Sequence, residues 1–157
     1  MNKEILVLEN KTLKLSHVFS KTIVLDDNFN EKPFNLVVKE FDDYMKNNKI
    51  IGYGPLIVKS GIVGTEEKKM IIKLMRQAKN ERINAIYPYD FQEEVKTPPC
   101  LFSRFNGNSN NQTMASMKMQ VYAYEHNLVL DMESYTITKN NDNELEIDTF
   151  IPILGRS

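Results

Sequence analysis

The stretch with the clearest capacity for chemistry is a strand-like segment near the end of the 157-residue chain, residues 144–154. Successive side chains of a strand point to opposite faces of its sheet. One face of this segment therefore carries two carboxylates and an aromatic ring, from Glu146, Asp148 and Phe150. The other face suits a hydrophobic core, because it carries Leu145, Ile147, Thr149 and Ile151. The acid-bearing face is either a solvent-facing polar row or a ligand face on which an acid lies beside aromatic rings.

Other aromatic residues could add rings to such a ligand face. The segment Tyr87-Pro88-Tyr89-Asp90-Phe91 places three rings within five positions near the middle of the chain. It is either a linker held to the surface by aromatic packing or the border of a ligand groove. Tyr135 is a further candidate, because its strand is expected to form a hairpin with the last one. The predicted ligand-binding residues are Asp148, Glu146, Phe150, Tyr135, Tyr87, Tyr89 and Phe105.

No pattern in the chain predicts a metal site, a cofactor or a catalytic group. His17 and His126 are far apart in the sequence, and no Cys or His spacing matches a metal site. The chain also lacks a nucleophile elbow, a phosphate loop and a dinucleotide fingerprint. Arg104 could pair with Glu146 or Asp148 across the sheet, which is more often a structural salt bridge than a catalytic device. We expect no cofactor and no metal, and we favour a function other than catalysis.

Composition and charge exclude several classes of protein. The chain has 20 Lys and Arg against 21 Asp and Glu and a formal net charge of −1, whereas surfaces that hold a phosphate backbone are strongly basic. Its single cysteine, Cys100, excludes an intramolecular disulfide. No apolar run approaches the roughly 18 residues of a membrane helix, and Ile5-Leu6-Val7-Leu8 is too short for a signal peptide. We expect a cytoplasmic protein with neither a nucleic-acid nor a membrane partner.

The first half of the chain predicts the element order β, α, β, β. A strand over residues 13–20 precedes a helix that Pro33 opens, and strands follow at residues 56–58 and 70–75. The helix has one apolar face at a spacing of three to four residues, formed by Phe34, Val37, Val38, Phe41 and Met45. This face is expected to pack against the sheet.

The second half predicts the same order of elements. A strand over residues 100–105 precedes a helix, and a hairpin of residues 135–138 and 144–154 follows. An apolar stripe on this helix consists of Met114, Met117, Val121 and Tyr124. The methionines of the helix, Met114, Met117 and Met119, are expected to fill the core, and an adaptable binding surface is the alternative.

Short sequence matches indicate that the two halves are an internal repeat. Val18-Phe19-Ser20-Lys21 matches Leu101-Phe102-Ser103-Arg104, and the ends of the two predicted helices match as Tyr44 and Asn47 against Tyr124 and Asn127. Repeat one would span about residues 12–76 and repeat two about residues 84–154, within a single domain over residues 1–157. The predicted fold class is α+β: two βαββ pseudo-repeats form an antiparallel sheet with helices on one side and a central groove. Junctions between modules are common places for small-molecule sites.

Three motifs in order carry a family resemblance that covers the chain from about residue 12 to residue 154. Leu101-Phe102-Ser103-Arg104-Phe105-Asn106-Gly107 has an aromatic-basic-aromatic-glycine strand end. Ile147-Asp148-Thr149-Phe150-Ile151-Pro152-Ile153 has an acidic-apolar-Pro-apolar terminus, and Gly54-Pro55-Leu56 has a Gly-Pro strand start. In these motifs the chain resembles the GyrI-like effector-binding family, which includes the ligand domains of multidrug-sensing regulators and standalone gyrase-inhibitor proteins.

The resemblance implies two βαββ repeats around a groove that binds bulky, apolar, often cationic compounds. In that family aromatic rings supply contact area and a buried acid supplies charge, and Asp148 stands where the final strand commonly carries an acid. The chain departs from the family in having no Trp. No helix-turn-helix segment precedes the domain, so a complete regulator is not expected. The resemblance therefore implies a standalone small-molecule-binding module that senses or sequesters such a ligand.

Two alternatives to small-molecule binding stay open. One is a protein-interaction module in the manner of the gyrase inhibitors, which would act through its surface or a sheet edge. A groove filled by its own side chains, with an exposed apolar patch, would favour this alternative, whereas an empty aromatic groove with a buried acid would favour small-molecule binding. The other, ranked below it, is a carboxylate-dependent hydrolase, because some GyrI-like relatives resemble hydrolases of DNA-alkylating compounds. In that case Glu133, Glu146 or Asp148 would serve as acid or base.

Overall fold

The computed structural model describes residues 5–25, 33–64, 66–108, 112–141 and 144–157. Over these residues the elements are β1 (Leu6–Lys11), β2 (Lys14–Leu25), α1 (Phe34–Asn47), β3 (Gly52–Val63), β4 (Lys69–Ala78), β5 (Tyr89–Lys96), β6 (Cys100–Gly107), α2 (Gln112–Glu125), β7 (Leu128–Leu130), β8 (Ser134–Asn141) and β9 (Glu144–Arg156). The chain divides into two compact units. We call them the α1 unit, Lys14–Val95, and the α2 unit, Met1–Leu13 together with Lys96–Ser157.

The α1 unit packs one helix on strands in the order β3-β4-β2-β5. Pro33 precedes the first turn of α1 in an extended conformation, which suits a residue that cannot donate a backbone hydrogen bond. Val37, Phe41 and Met45 recur at helical spacing and are buried on one face of α1, where they join a core cluster with Phe19 and other residues of the unit. The predicted first helix is therefore confirmed, and so is the burial of Val37, Phe41 and Met45. Of the other residues of the predicted apolar face, Val38 is half-buried and Phe34 is exposed.

The α2 unit has the strand order β1-β6-β9-β8, and the short strand β7 pairs with the end of β9. The β1–β6, β6–β9, β7–β9 and β8–β9 pairs are all antiparallel. The closing strand β9 therefore lies between two partners, β6 and β8, and the predicted hairpin of β8 with β9 is confirmed. The residues 142–143 between these two strands lie outside the described part of the chain.

The helix α2 presents a different face to its sheet than the sequence predicts. Its buried residues are Ala115, Met119 and Ala123, of which Met119 and Ala123 share a core cluster with Leu101 and Leu128. The four residues of the predicted apolar stripe are each more than half exposed: Met114, Met117, Val121 and Tyr124. The expectation that the methionines of this helix fill the core is confirmed for Met119 and wrong for Met114 and Met117. Apolar residues surround α2, so spacing alone permits either face, and two alanines allow a closer approach to the sheet.

The architecture is α+β, with mostly antiparallel strands and two helices in the described residues. Strands β5 and the three-residue β7 were not predicted, and residues 5–8, which the sequence leaves as an edge strand or a loosely held arm, overlap β1. Each helix is 14 residues long and is followed by a residue with positive φ, Lys49 after α1 and Asn127 after α2. The equivalence of the two halves as repeats stays a prediction. Neither helix is long and apolar enough to cross a membrane, as judged over the described residues.

Candidate ligand-binding face

The strand register of the α2 unit brings a set of acids, bases and rings to one face. On β9, Phe150 lies opposite Phe102 of β6 and Tyr135 of β8, and Asp148 lies opposite Arg104 of β6. Residues directly opposite each other in antiparallel strands project to the same face. We call this the acid–aromatic face, and its members used below are Phe102, Arg104, Tyr135, Ile137, Lys139, Glu146, Asp148 and Phe150.

The aromatic part of this face is closely packed. The ring centroids of Phe102 and Phe150 are 4.9 Å apart with the planes inclined at 52°, a favourable tilted arrangement for two rings. Both rings and the side chain of Tyr135 are buried. Phe102 was not among the predicted site residues. Its position two residues before Arg104 on the same strand is the signal that could have identified it.

The acid at the centre of the face is held by an arginine. Arg104 donates two hydrogen bonds to Asp148, from Nε to Oδ1 at 2.8 Å and from Nη2 to Oδ2 at 2.9 Å. These bonds raise the pKa of Arg104 above its ordinary value. The guanidinium carbon also lies 5.6 Å from the centroid of the Phe102 ring, within cation–π distance. Of the two partners that the sequence left open for Arg104, Asp148 is the one that receives its paired hydrogen bonds.

The two members of this ion pair differ greatly in exposure. Asp148 is 6% exposed, whereas the side chain of Arg104 is 42% exposed. Burying a carboxylate is unfavourable unless it is paired, and the more exposed Arg104 supplies the paired hydrogen bonds. The alternative that this face is a solvent-facing polar row is therefore wrong for Asp148 and for the buried Phe150.

The second acid of the face has looser contacts. Glu146 lies 3.6 Å from Arg104 Nε and 3.9 Å from Lys139 Nζ, with its side chain 19% exposed. The described face thus carries two carboxylates against two cationic side chains, and their formal charges cancel. A ligand cation on this face would meet acids that already have protein partners.

The remaining predicted site residues are not members of this face of the α2 unit. Phe105 is paired with Ile147, so it projects to the opposite face of the sheet, where it is buried. Tyr87 and Tyr89 belong to the α1 unit. Tyr87 is exposed, and Tyr89 stacks on Tyr44 with ring centroids 3.8 Å apart. Of the seven predicted residues, the structure brings four together on one face: Tyr135, Glu146, Asp148 and Phe150.

The described residues offer no arrangement of side chains that would bind a metal ion. There, no group of three or more His, Cys, Asp and Glu side chains is arranged to hold an ion. Cys100 is fully buried, and burial raises the pKa of its thiol. A thiol that is buried and kept protonated is a poor nucleophile.

Comparison with solved structures identifies the fold. The chain is similar to the C-terminal domain of EcmrR, with a TM-score of 0.62, 13% identity and 98% of both chains covered. A second match is a chain in the cryo-electron-microscopy structure of an EcmrR–DNA complex, of which our chain spans 57% of the length, with a TM-score of 0.62 and 13% identity. A third is SAV2435 bound to tetraphenylphosphonium, with a TM-score of 0.50, 10% identity and 98% and 95% of the two chains covered.

No family model matches the chain, and no curated protein sequence matches it. The likeness to solved structures is one of fold. The predicted GyrI-like fold is confirmed at the level of the fold, whereas the two βαββ repeats and the groove that the resemblance implies stay predictions.

Proposed function

We propose that this GyrI-like chain is a small-molecule-binding module, and that a bulky apolar ligand occupies its acid–aromatic face. The observation that carries the proposal is a carboxylate only 6% exposed, Asp148, on the same face as the packed rings of Phe102 and Phe150. The fold likeness to SAV2435, which was solved with tetraphenylphosphonium, supports a delocalised cation as one such ligand.

The chemistry of the face suits aromatic cations. Aromatic rings offer large contact area and attract a positive charge to their π-face. Arg104 already uses this property, since its guanidinium lies over Phe102 while it bonds Asp148. Because Arg104 is the exposed member of the pair, a ligand cation can displace it toward water and take its place beside the acid. Arg104 would then compete with the ligand and limit its affinity.

This competition can be measured by isothermal titration with two compounds of similar shape. Tetraphenylphosphonium carries a charge, and triphenylphosphine oxide is neutral. In Arg104→Gln the acid has no internal cation, so the affinity for tetraphenylphosphonium should rise about tenfold while that for the neutral compound stays unchanged. Phe150→Leu should weaken both compounds. Arg82→Gln, which alters an exposed arginine of the α1 unit, is the matched control and should change neither.

Three results would contradict the proposal. If neither compound binds wild type saturably, the acid–aromatic face does not take bulky aromatic ligands of this kind. If tetraphenylphosphonium binds equally to wild type and Arg104→Gln, the cation does not reach Asp148. A Phe150→Leu variant with unchanged affinity for both compounds would place their binding elsewhere.

A protein-interaction module is the second candidate function, and the exposed stripe on α2 favours it. Met114, Met117, Val121 and Tyr124 recur on one side of this helix and are each more than half exposed, which is typical of a surface that docks on an apolar groove of a partner. A purified partner captured from cell extract should bind wild type and the control variant Thr113→Lys. Met117→Lys should abolish that binding. The hydrolase alternative stays an untested prediction.

A further inference from the structure

The α1 unit contains a cavity of its own at the C-terminal end of its helix. The volume of this cavity is about 220 Å³. Its lining comes from the turn after α1, from the loop of residues 79–88 between β4 and β5, and from Phe19 of β2, all within the α1 unit. We call it the amide cavity, because three asparagine side chains line it: Asn48, Asn80 and Asn84.

The apolar part of the lining belongs to the core of the α1 unit. It consists of Phe19, Tyr44, Ile50 and Ile83, which are members of one core cluster or pack against it. Tyr44 also stacks on Tyr89 with ring centroids 3.8 Å apart. Because neighbouring residues hold these side chains in place, an occupant of the cavity would meet an apolar wall that is already formed, as is usual in small-molecule sites.

Hydrogen bonds fix two of the three amides. Asn80 accepts a hydrogen bond from the backbone N–H of Ile51 at 2.9 Å and donates one to the carbonyl of Lys49 at 3.2 Å. Asn48 donates one to the carbonyl of Tyr44 at 2.8 Å. The side-chain nitrogen of asparagine carries two hydrogens, so each of these donated bonds uses only one of the two.

The other two polar residues of the lining carry the chemistry of the cavity. In the part of the chain that the structure describes, neither Arg82 nor Asn84 makes a side-chain hydrogen bond or an ion pair. Arg82 is the one charged residue of the described lining, and the lining contains no acid. The cavity therefore has one uncompensated positive charge beside its apolar wall.

The end of α1 opposes an anion only weakly. The last carbonyl groups of a helix carry partial negative charge, but their effect falls off within the last turn. Here those carbonyl groups accept hydrogen bonds from the backbone N–H groups that follow the helix. The last turn also contains a basic residue, Lys46. Arg82 itself belongs to the loop of residues 79–88 and not to the helix.

This lining restricts the chemistry of an occupant. A guanidinium group binds a carboxylate through two parallel N–H donors, and asparagine amides can donate further hydrogen bonds to carboxylate oxygens. A cation would meet the charge of Arg82 without a counter-charge, and a hydrocarbon would leave the amides without a partner. The volume suits a molecule with a single ring, because the sites of drug-sized ligands are larger.

We propose that the amide cavity binds a small monocarboxylate with an apolar ring. The carboxylate contacts Arg82 and Asn84, and the ring contacts Tyr44, Ile50 and Ile83. This site is separate from the one under the proposed function, because the two belong to different units and take ligands of opposite charge.

Three probes of nearly the same shape test the proposal on the full chain. Benzoate is an anion, benzamide is neutral and benzamidinium is a cation. In NMR titrations at physiological salt, benzoate should shift the side-chain amide signals of Asn84 and the methyl signals of Ile83 saturably. Benzamide should bind at least about fivefold more weakly, because it lacks the charge that Arg82 binds. Benzamidinium should produce no saturable shift.

Two variants and one control locate the binding, all at exposed positions where the fold is not at risk. Arg82→Gln should weaken benzoate about tenfold and remove its advantage over benzamide. Asn84→Leu should weaken benzoate about threefold, because one amide is lost. Lys79→Gln removes the same charge from a residue of the same loop that does not line the cavity, and benzoate affinity should stay within about twofold of wild type.

The outcomes also separate this proposal from the proposed function. Absence of a saturable shift with benzoate, equal binding of the three probes, or equal losses in Arg82→Gln and Lys79→Gln would each overturn it. Arg82→Gln is also the control in the tetraphenylphosphonium titration, where it should change nothing, so one variant distinguishes the two sites. Failure of tetraphenylphosphonium to bind wild type would contradict the proposed function but would leave the benzoate result unaffected.

Discussion

Asp148 and Arg104 show how a single ion pair changes the chemistry expected of a face. A buried acid among rings would attract any cation, but this acid already accepts two hydrogen bonds from an arginine. Burying the carboxylate of Asp148 costs hydration free energy, and the two charge-assisted hydrogen bonds from Arg104 offset that cost. If this face binds a cation as we propose, its selectivity depends more on how readily Arg104 is displaced than on the presence of the acid.

Replacing Asp148 tests the structural side of this pair. Asp148→Asn should lower the free energy of unfolding by about 1–2 kcal/mol, because Arg104 loses the charge it bonds while its half-exposed side chain can still turn to water. Asp43→Asn is the control, since Asp43 pairs with Lys39 at 3.2 Å on the exposed side of α1. That variant should lose no more than about 0.5 kcal/mol.

Denaturant unfolding of both variants gives the comparison. Equal, small losses would mean that the pair adds nothing to stability. A clear loss in Asp148→Asn combined with unchanged preference for tetraphenylphosphonium over triphenylphosphine oxide would show that Asp148 is structural and does not contact the ligand.

Glu9 carries a second prediction at the residue scale, about pH. It accepts a hydrogen bond from Tyr122 Oη at 2.7 Å and pairs with Arg156, and these contacts, the tyrosine bond first, lower its pKa from 4.5. A lowered pKa means that the contribution of Glu9 to stability is present above pH 4.5 and is lost as the pH falls through the folded pKa. Tyr122→Phe should therefore raise the pKa of Glu9 toward 4.5.

The pKa of Glu9 can be read from its carboxyl-carbon NMR shift across the acid range. Tyr124→Phe is the control, because Tyr124 is almost fully exposed on the same helix. An unchanged titration of Glu9 in Tyr122→Phe would mean that, in solution, the hydrogen bond from Tyr122 does not stabilise the Glu9 carboxylate.

At the scale of elements, the helices differ in how tightly their sequences specify an orientation. In α1 three larger side chains, Val37, Phe41 and Met45, line one face. In α2 the buried face consists of Ala115, Met119 and Ala123, and a second apolar set faces solvent. Helical spacing identifies the buried face of a helix when the opposite face is polar. In α2 apolar residues lie on both faces, so spacing does not distinguish them. Its orientation is set by packing against β6 and β7.

Two methionines on α2 test that orientation. Met119 is 1% exposed, and truncating it to alanine should cost about 2–4 kcal/mol of unfolding free energy because a cavity is left in the core. Met117 is mostly exposed, and Met117→Ala should change stability by no more than about 0.5 kcal/mol. Thermal or denaturant unfolding measures both. A larger loss for Met117→Ala than for Met119→Ala would mean that the helix packs through its other face.

At the scale of the whole molecule, the α2 unit is assembled from both ends of the chain. β1 pairs with β6 in antiparallel register, so that Leu6, Val7 and Leu8 lie opposite Arg104, Ser103 and Phe102. The same N-terminal segment supplies Glu9 to Tyr122 and Arg156. Contacts so distant in sequence link the stability of this unit to the start of the chain.

Deleting residues 1–11 tests this dependence. Loss of β1 leaves one side of β6 without its strand partner, so amide exchange in β6 should accelerate about tenfold or more. Amides of the β2–β4 pair in the α1 unit should be protected as before. Hydrogen exchange measured by NMR or mass spectrometry separates the two units. Equal acceleration in both would show that they open together, and unchanged exchange in β6 would show that β1 is dispensable.

The overall charge supports a further prediction about nucleic acid. The chain has 20 Lys and Arg against 21 Asp and Glu. This is too little positive charge to displace many counterions from DNA, so the affinity for DNA should be negligible. At low salt, micromolar protein should not shift a duplex in a gel. A retarded band whose intensity falls steeply with added salt would contradict this prediction.

The sequence by itself determined the features that depend on local geometry. Alternation along β9 predicted that Glu146, Asp148 and Phe150 share a face, because side-chain direction in a strand depends only on parity. The contrast between apolar and polar residues predicted α1 and its buried face. The antiparallel hairpin of β8 with β9 followed from two adjacent strands and a polar turn, and it also brought Tyr135 to the face of Phe150.

The tertiary structure alone decided which of these residues meet and how deeply they are buried. Register between β6 and β9, which are far apart in sequence, joined Arg104 to Asp148 and turned Phe105 to the other face. Packing determined the buried face of α2 and left a cavity between this helix and the strands β8 and β9. Tyr87 and Tyr89 fell in the α1 unit, where Tyr89 stacks on Tyr44. Each outcome depends on contacts between distant segments, and neither residue spacing nor composition contains that information.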